Sequence, residues 1–170
     1  MFITIKCAGT SFIPSFDEKN QTGGAGGFLP SGVAWYRKHF TVSEKDKNKR
    51  IFIEFDGVMG ISDVWINDFH LGQRPSGYIS FVYDLTDKIN FGKENIIAVR
   101  ADTSLQPASR WYTGAGIYRH VRLVKTDAVH FVNWGVFVTT PQVSETQATV
   151  KVSGEVVNQS NHAQEGFDAS

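Results

Sequence analysis

From residue 33 to residue 125 the chain alternates apolar and polar side chains with a period of two, which confines it to half-buried β-strands. In "VAWYRKHFTV", Ala34, Tyr36, Phe40 and Val42 share one face. In "IFIEFDGV", Ile51, Ile53 and Phe55 face one way and Glu54 and Asp56 the other. "DVWINDFHLG" reads as a hairpin in which Val64 and Ile66 point inward. Its turn is Asn67-Asp68, two residues that tolerate the left-handed conformation such a turn needs. "ISFVYDLT" (79–86) and "NIIAVRAD" (95–102) read as further strands, separated by the turn segment "DKINFGKE". "IYRHVRLVK" sets Ile117, Val121 and Leu123 against Tyr118, His120 and Arg122. No long segment carries a helical period. Short strands spaced by turn signals predict an all-β sandwich, and about seven or eight strands through residue 125 suit a jelly roll.

The flanks differ from this body. Residues 1–32 are irregular, and "NQTGGAGGFLPSG" (20–32) is loop chemistry anchored by Phe28 and Leu29. Beyond 126–128 the pattern is again strand-like, but richer in Val, Thr and Ser. "HFVNWGVFVTT" and "TQATVKVSGEVVNQS" have too little chain after Lys125 for a sandwich that needs about 100 residues. The expected division is therefore a jelly-roll domain over 1–125 and the start of a second, truncated β-sandwich over 126–170.

Charge and cysteine content exclude several roles. Seventeen basic and seventeen acidic residues cancel, against the basic excess of a dedicated nucleic-acid binder. The most basic run, "KDKNKR" (45–50), carries its own Asp46 and reads as a solvated turn. Cys7 is the sole cysteine, so no internal disulfide or cysteine-rich metal site is expected. No apolar run approaches the roughly 20 residues of a membrane span. "MFITIKCAG" lacks the basic region of a signal peptide, which leaves the compartment open.

Chemistry-bearing residues are sparse. A glycosidase needs two carboxyls about 5–9 Å apart, flanking one bond; no such pair stands out. The histidines (39, 70, 120, 130, 162) are scattered, four of them in strand-like stretches, and no base can be placed for Cys7. No metal-ligand spacing appears, and "GGAGG" lacks the ending of a phosphate loop. No cofactor or metal is expected. What remains is the segment 102–116, "DTSLQPASRWYTGAG", longer than ordinary strand connections. It sets Arg110, Trp111 and Tyr112 side by side. Aromatic faces stack on sugar C–H surfaces and planar polar groups fix sugar hydroxyls; the competing reading is a plug at the end of the sandwich.

"RWYTGAGIYRHVRL" resembles the signature at the end of the N-terminal sugar-binding domain of family-2 glycoside hydrolases, the β-galactosidase and β-glucuronidase group. "GVAWYRKHF", "IFIEFDGVMGISDVWINDFHLGQRPSGYISFVYDLT" and "ENIIAVRAD" resemble the same domain in the same order, so the similarity covers residues 12–125. Residues 126–170 resemble the start of the immunoglobulin-like domain that follows. The resemblance implies a jelly roll, with both catalytic glutamates in a downstream TIM barrel of about 250 residues. It also implies that 102–116 reaches over the barrel mouth, with Asp102, Ser109 and Arg110 nearest the terminal sugar; Trp111 and Tyr112 join them as candidate substrate-binding residues on the stacking argument alone. Some relatives carry an acid at the place of Ser109, contacting a monovalent cation; uncharged Ser109 does not support that site. The usual opening Leu-Pro-His-Asp-Trp has no match in "AGTSFIPSFDEKN". The implied partners are the terminal sugar of a β-glycoside and the barrel of the same chain, with no nucleic acid or membrane and with homo-oligomerisation open. The alternatives are a stand-alone carbohydrate-binding module and a structural interaction domain.

Overall fold

The structure, a computed structural model, describes residues 6–7, 18–19, 23–24, 28, 31–105, 114–163 and 165. These residues form strands and single turns of 3-10 helix, and none of their helices is long and apolar enough to cross a membrane. The chain divides into two compact units: residues 1–47 with 51–125, and 48–50 with 126–170.

The first unit is a β-sandwich of the jelly-roll class. One sheet has the order β1-β2-β8-β5-β6, with β1 Lys6–Cys7, β2 Val33–Thr41, β5 Ile61–Ile66, β6 Phe69–Arg74 and β8 Glu94–Asp102. The second has the order β10-β3-β7, with β3 Arg50–Phe55, β7 Phe81–Asp84 and β10 Val121–Thr126. A two-stranded ribbon of β4 Val58–Met59 and β9 Gly116–Ile117 closes one end. The alternation predicts the inward faces. Ile51, Ile53, Phe55, Val64, Ile66, Ile97, Val99 and Leu123 are buried in one cluster, and the rings of Phe55 and Phe81 stack at 4.9 Å. Glu54, Asp56, Arg100 and Arg122 take the opposite faces, where water reaches them.

Three details depart from the sequence reading. The run 79–86 is a strand only over Phe81–Asp84, leaving Ile79 half-exposed in a loop. "IYRHVRLVK" is not one strand: β9 stops at Ile117 and β10 starts at Val121. Between them, Tyr118 donates its hydroxyl to the Gly77 carbonyl at 2.9 Å, and the Asp56 amide donates to the His120 carbonyl at 3.0 Å. In the β5–β6 turn only Asn67 is left-handed, at φ 52°; Asp68 is not. Asn67 is held there by its side chain, which accepts from the Ile96 amide at 3.0 Å and donates to the Lys88 carbonyl at 2.9 Å. The "KDKNKR" run is the solvated turn expected, with Ser43 capping a single 3-10 turn and Asp46 ion-paired to Lys125.

The second unit contains a long hairpin of β11 Val129–Val143 and β12 Ala148–Asn158. Its register puts Phe131, Val136, Val138 and Val143 on the same face as Val150, Val152 and Val156. All seven are exposed, Val143 by 70%.

Candidate functional site

The predicted site begins where β8 ends. Antiparallel registers place the carboxyl end of β8 between the start of β2 and the start of β5, with Asp102 opposite both Val33 and Ile61. Three glycines make this corner tight. Gly60, at φ 92°, lies so close that an added Cβ would stand 2.3 Å from the Asp102 carbonyl oxygen. Gly116, at φ 73°, lies against Tyr36, where an added Cβ would stand 1.8 Å from the phenol oxygen. Gly32 exchanges bonds with Thr103: the Thr103 amide donates to the Gly32 carbonyl at 2.8 Å, and the Gly32 amide donates to the Thr103 hydroxyl at 3.3 Å.

Asp102 is the one predicted site residue within the described set; Ser109, Arg110, Trp111 and Tyr112 lie outside it. Its carboxylate is largely engaged. Oδ1 accepts from the Ser104 amide at 2.9 Å and from the Ser104 hydroxyl at 2.6 Å. Oδ2 accepts from Arg100 Nη2 at 2.6 Å. The Ser104 hydrogen bonds and then the Arg100 guanidinium hold its carboxyl below the usual aspartate value, against the desolvation of partial burial. A carboxylate has about four acceptor positions, and described residues occupy three of those on Asp102.

Arg100 links Asp102 to residues that the sequence reading did not single out. On the outward face of the five-stranded sheet, Arg100 stands opposite Asp63 of β5 and Trp35 of β2. Its Nη1 is 3.6 Å from Asp63 Oδ2. Asp63 accepts from Gln73 Nε2 at 3.2 Å and meets His70 Nε2 at 3.1 Å. Next to this polar row three rings form a file: Trp35 and Trp65 at 5.2 Å between centroids, Trp65 and His70 at 4.9 Å. Alternation marks these positions as outward; only strand order and register bring them together.

The second sheet carries a similar group. Arg122 donates to both Asp56 oxygens, at 2.5 and 2.7 Å, and its Nη1 is 3.7 Å from Glu54 Oε2. These bonds lower the Asp56 carboxyl below its ordinary value and raise the Arg122 guanidinium. A glycosidase acid requires a raised carboxyl pKa. In both described arginine-bridged groups the carboxyls that shift, Asp56 and Asp102, move the other way. Among the described residues no group of three or more metal-ligating side chains is gathered.

Comparison with known proteins bears on most of the first unit and the start of the second. A family model described as glycosyl hydrolase 2 galactose-binding domain-like matches residues 28–140. A β-galactosidase of Bacteroides ovatus, BoGH2A, is 50% identical over 146 residues, covering 86% of this chain and 17% of that protein. A β-glucuronidase of Formosa agariphila is 39% identical over 148 residues, 75% of this chain and 15% of that protein. Among solved structures, a β-glycosidase from Bacteroides vulgatus superposes with a TM-score of 0.80 at 44% identity, covering 88% of this chain and 19% of that one. The chain thus spans less than a fifth of the length of these relatives.

Proposed function

Since the chain belongs to family 2 of the glycosyl hydrolases through its galactose-binding domain-like region, we propose that it is the N-terminal, non-catalytic portion of a β-galactosidase-like exo-glycosidase. The observation that carries this reading is the match itself: a near-complete sandwich at 50% identity to a β-galactosidase of which it covers 17%. The carboxylates of Asp56 and Asp102 agree with it. They are bound by arginine and serine donors and suit structure better than proton transfer.

In this reading the segment 102–116 forms one wall of the subsite for the terminal sugar, and the acid and nucleophile lie in a barrel further along the chain. Asp102 supplies one acceptor at the base of the wall. Ser109, Arg110, Trp111 and Tyr112 supply the hydroxyl contacts and the stacking faces. Residues 126–170 are the first hairpin of an immunoglobulin-like sandwich, a reading supported by the seven apolar residues that β11 and β12 set on one face.

Arg110→Ala in the full-length enzyme tests the wall. A loss of about 10- to 1000-fold in kcat/KM at an unchanged melting temperature is expected, as for removal of a charged hydrogen-bond donor from a sugar. Unchanged efficiency and stability would remove the segment from the subsite. Residues 1–170 alone should release no chromophore from a chromogenic galactoside; turnover by the fragment would overturn the non-catalytic assignment.

A further inference from the structure

We propose that Asp63 and Arg100 are positioning residues for the sugar subsite: they aim Asp102 and Ser104, and so fix the direction in which the chain leaves β8. The inference rests on the reading that 102–116 is a wall of that subsite. Neither residue lies in this segment, and both act through it.

Asp63 is out of place for an ordinary outward-facing acid. It is only 8% exposed, and acids are seldom so buried unless they are paired. Its partners come from one side, Gln73 and His70 on β6, and from Arg100 on the other. β6 thus fixes the Asp63 carboxylate, and Asp63 of β5 with Asp102 of β8 flanks the Arg100 guanidinium. The planar fork of arginine suits this place, because one nitrogen faces Asp63 while the other donates to Asp102. A lysine would bring one ammonium to either acid, without the fixed angle between them.

What Arg100 holds is the pivot of the exit. Asp102 Oδ2 is taken by Arg100, and its Oδ1 draws in both the amide and the hydroxyl of Ser104. The chain is bent at that point. On the backbone side, Thr103 and Gly32 exchange hydrogen bonds and Gly60 lies flush against the Asp102 carbonyl. Backbone and side-chain restraints together define residues 102–104, the last described turn before 106–113. Sites of this kind depend on support from residues that never touch the ligand, and a displacement near 1 Å can cost about 100-fold in rate.

A double-mutant cycle in the full-length enzyme separates positioning from plain stability. Asp63→Asn and Arg100→Lys should each raise KM for a chromogenic galactoside about 3- to 30-fold, with kcat changed less. Combined with Arg110→Ala, either should add little further loss, because the contact it positions is already gone. Full additivity with Arg110→Ala, or an unchanged KM in Asp63→Asn, overturns the inference. If Arg100→Lys does not fold, Ser104→Ala reads the same coupling from an exposed turn. If Arg110→Ala by itself leaves kcat/KM unchanged, the subsite reading fails and this inference falls with it. Coupling lost while Arg110→Ala still impairs the enzyme sinks the positioning role alone.

Discussion

Single residues in the first unit hold strained or charged positions that the alternation pattern does not display. Asp56 is one. Arg122 holds its carboxyl below the ordinary value of 3.8. A depressed native pKa adds stability above the unfolded value, and that stability is lost as pH falls through the native one. Asp56→Asn should therefore lower the urea midpoint at neutral pH and flatten the decline below about pH 4; equal acid slopes in the two proteins would contradict this. Gly116 is the other. Alanine there meets both a left-handed φ and the Tyr36 phenol, so Gly116→Ala should cost about 2–4 kcal/mol in urea unfolding. The sequence marks Gly116 only as the last residue of the long 102–116 connection. Its contact with Tyr36 was not readable, since 80 residues separate them and only the fold brings them together.

At the scale of elements, period and register decide different things. Inward Ile51, Ile53, Phe55, Val64 and Ile66 were legible because they recur at every second position. Strand ends were less so: β7 lost Ile79 and Ser80, and β9 parted from β10, where loop hydrogen bonds replace the ladder. The file of Trp35, Trp65 and His70 depends on strand order, which no single strand encodes. The β5–β6 turn shows the same limit. Asn-Asp suggested two left-handed residues, yet Asn67 alone adopts that conformation, tied to Ile96 and Lys88. Replacing Asp68 with glycine should therefore give no gain and cost about 0.5–1 kcal/mol through the freer unfolded chain. Asn67→Ala should cost about 1–3 kcal/mol, from lost hydrogen bonds and positive φ. A stabilised Asp68→Gly in thermal unfolding would show that the turn relaxes into another type.

For the molecule as a whole, the two units differ in how much of their apolar surface is covered. The first closes on a buried cluster from Phe40 to Leu123. In the second, the valine-rich face of β11 and β12 is open, and an isolated two-stranded hairpin is marginal in water. Residues 1–170 should accordingly bind a hydrophobic dye, and a chain ending at Lys125 should bind much less while keeping its cooperative unfolding. Equal dye binding by both would place the exposed surface in the first unit. The same contrast explains what was legible about function. The family motifs fall in the first unit, whose fold is complete enough to recognise, whereas the acids and bases of a glycosidase are not gathered among its described residues.

The pairing of β2 with β8 has a consequence for synthesis. All nine residues of β2 find their partners in a strand that begins about 50 residues after β2 ends, and β8 lies between β2 and β5. A ribosome adding roughly 5–20 residues per second takes about 3–10 s to supply that partner. During this interval the β5–β6 hairpin can form locally, while β2 waits with an open edge and an uncovered apolar stripe. The strand made early is thus satisfied late, and the nascent chain is most open to misassociation before the exit corner at Asp102 has been made.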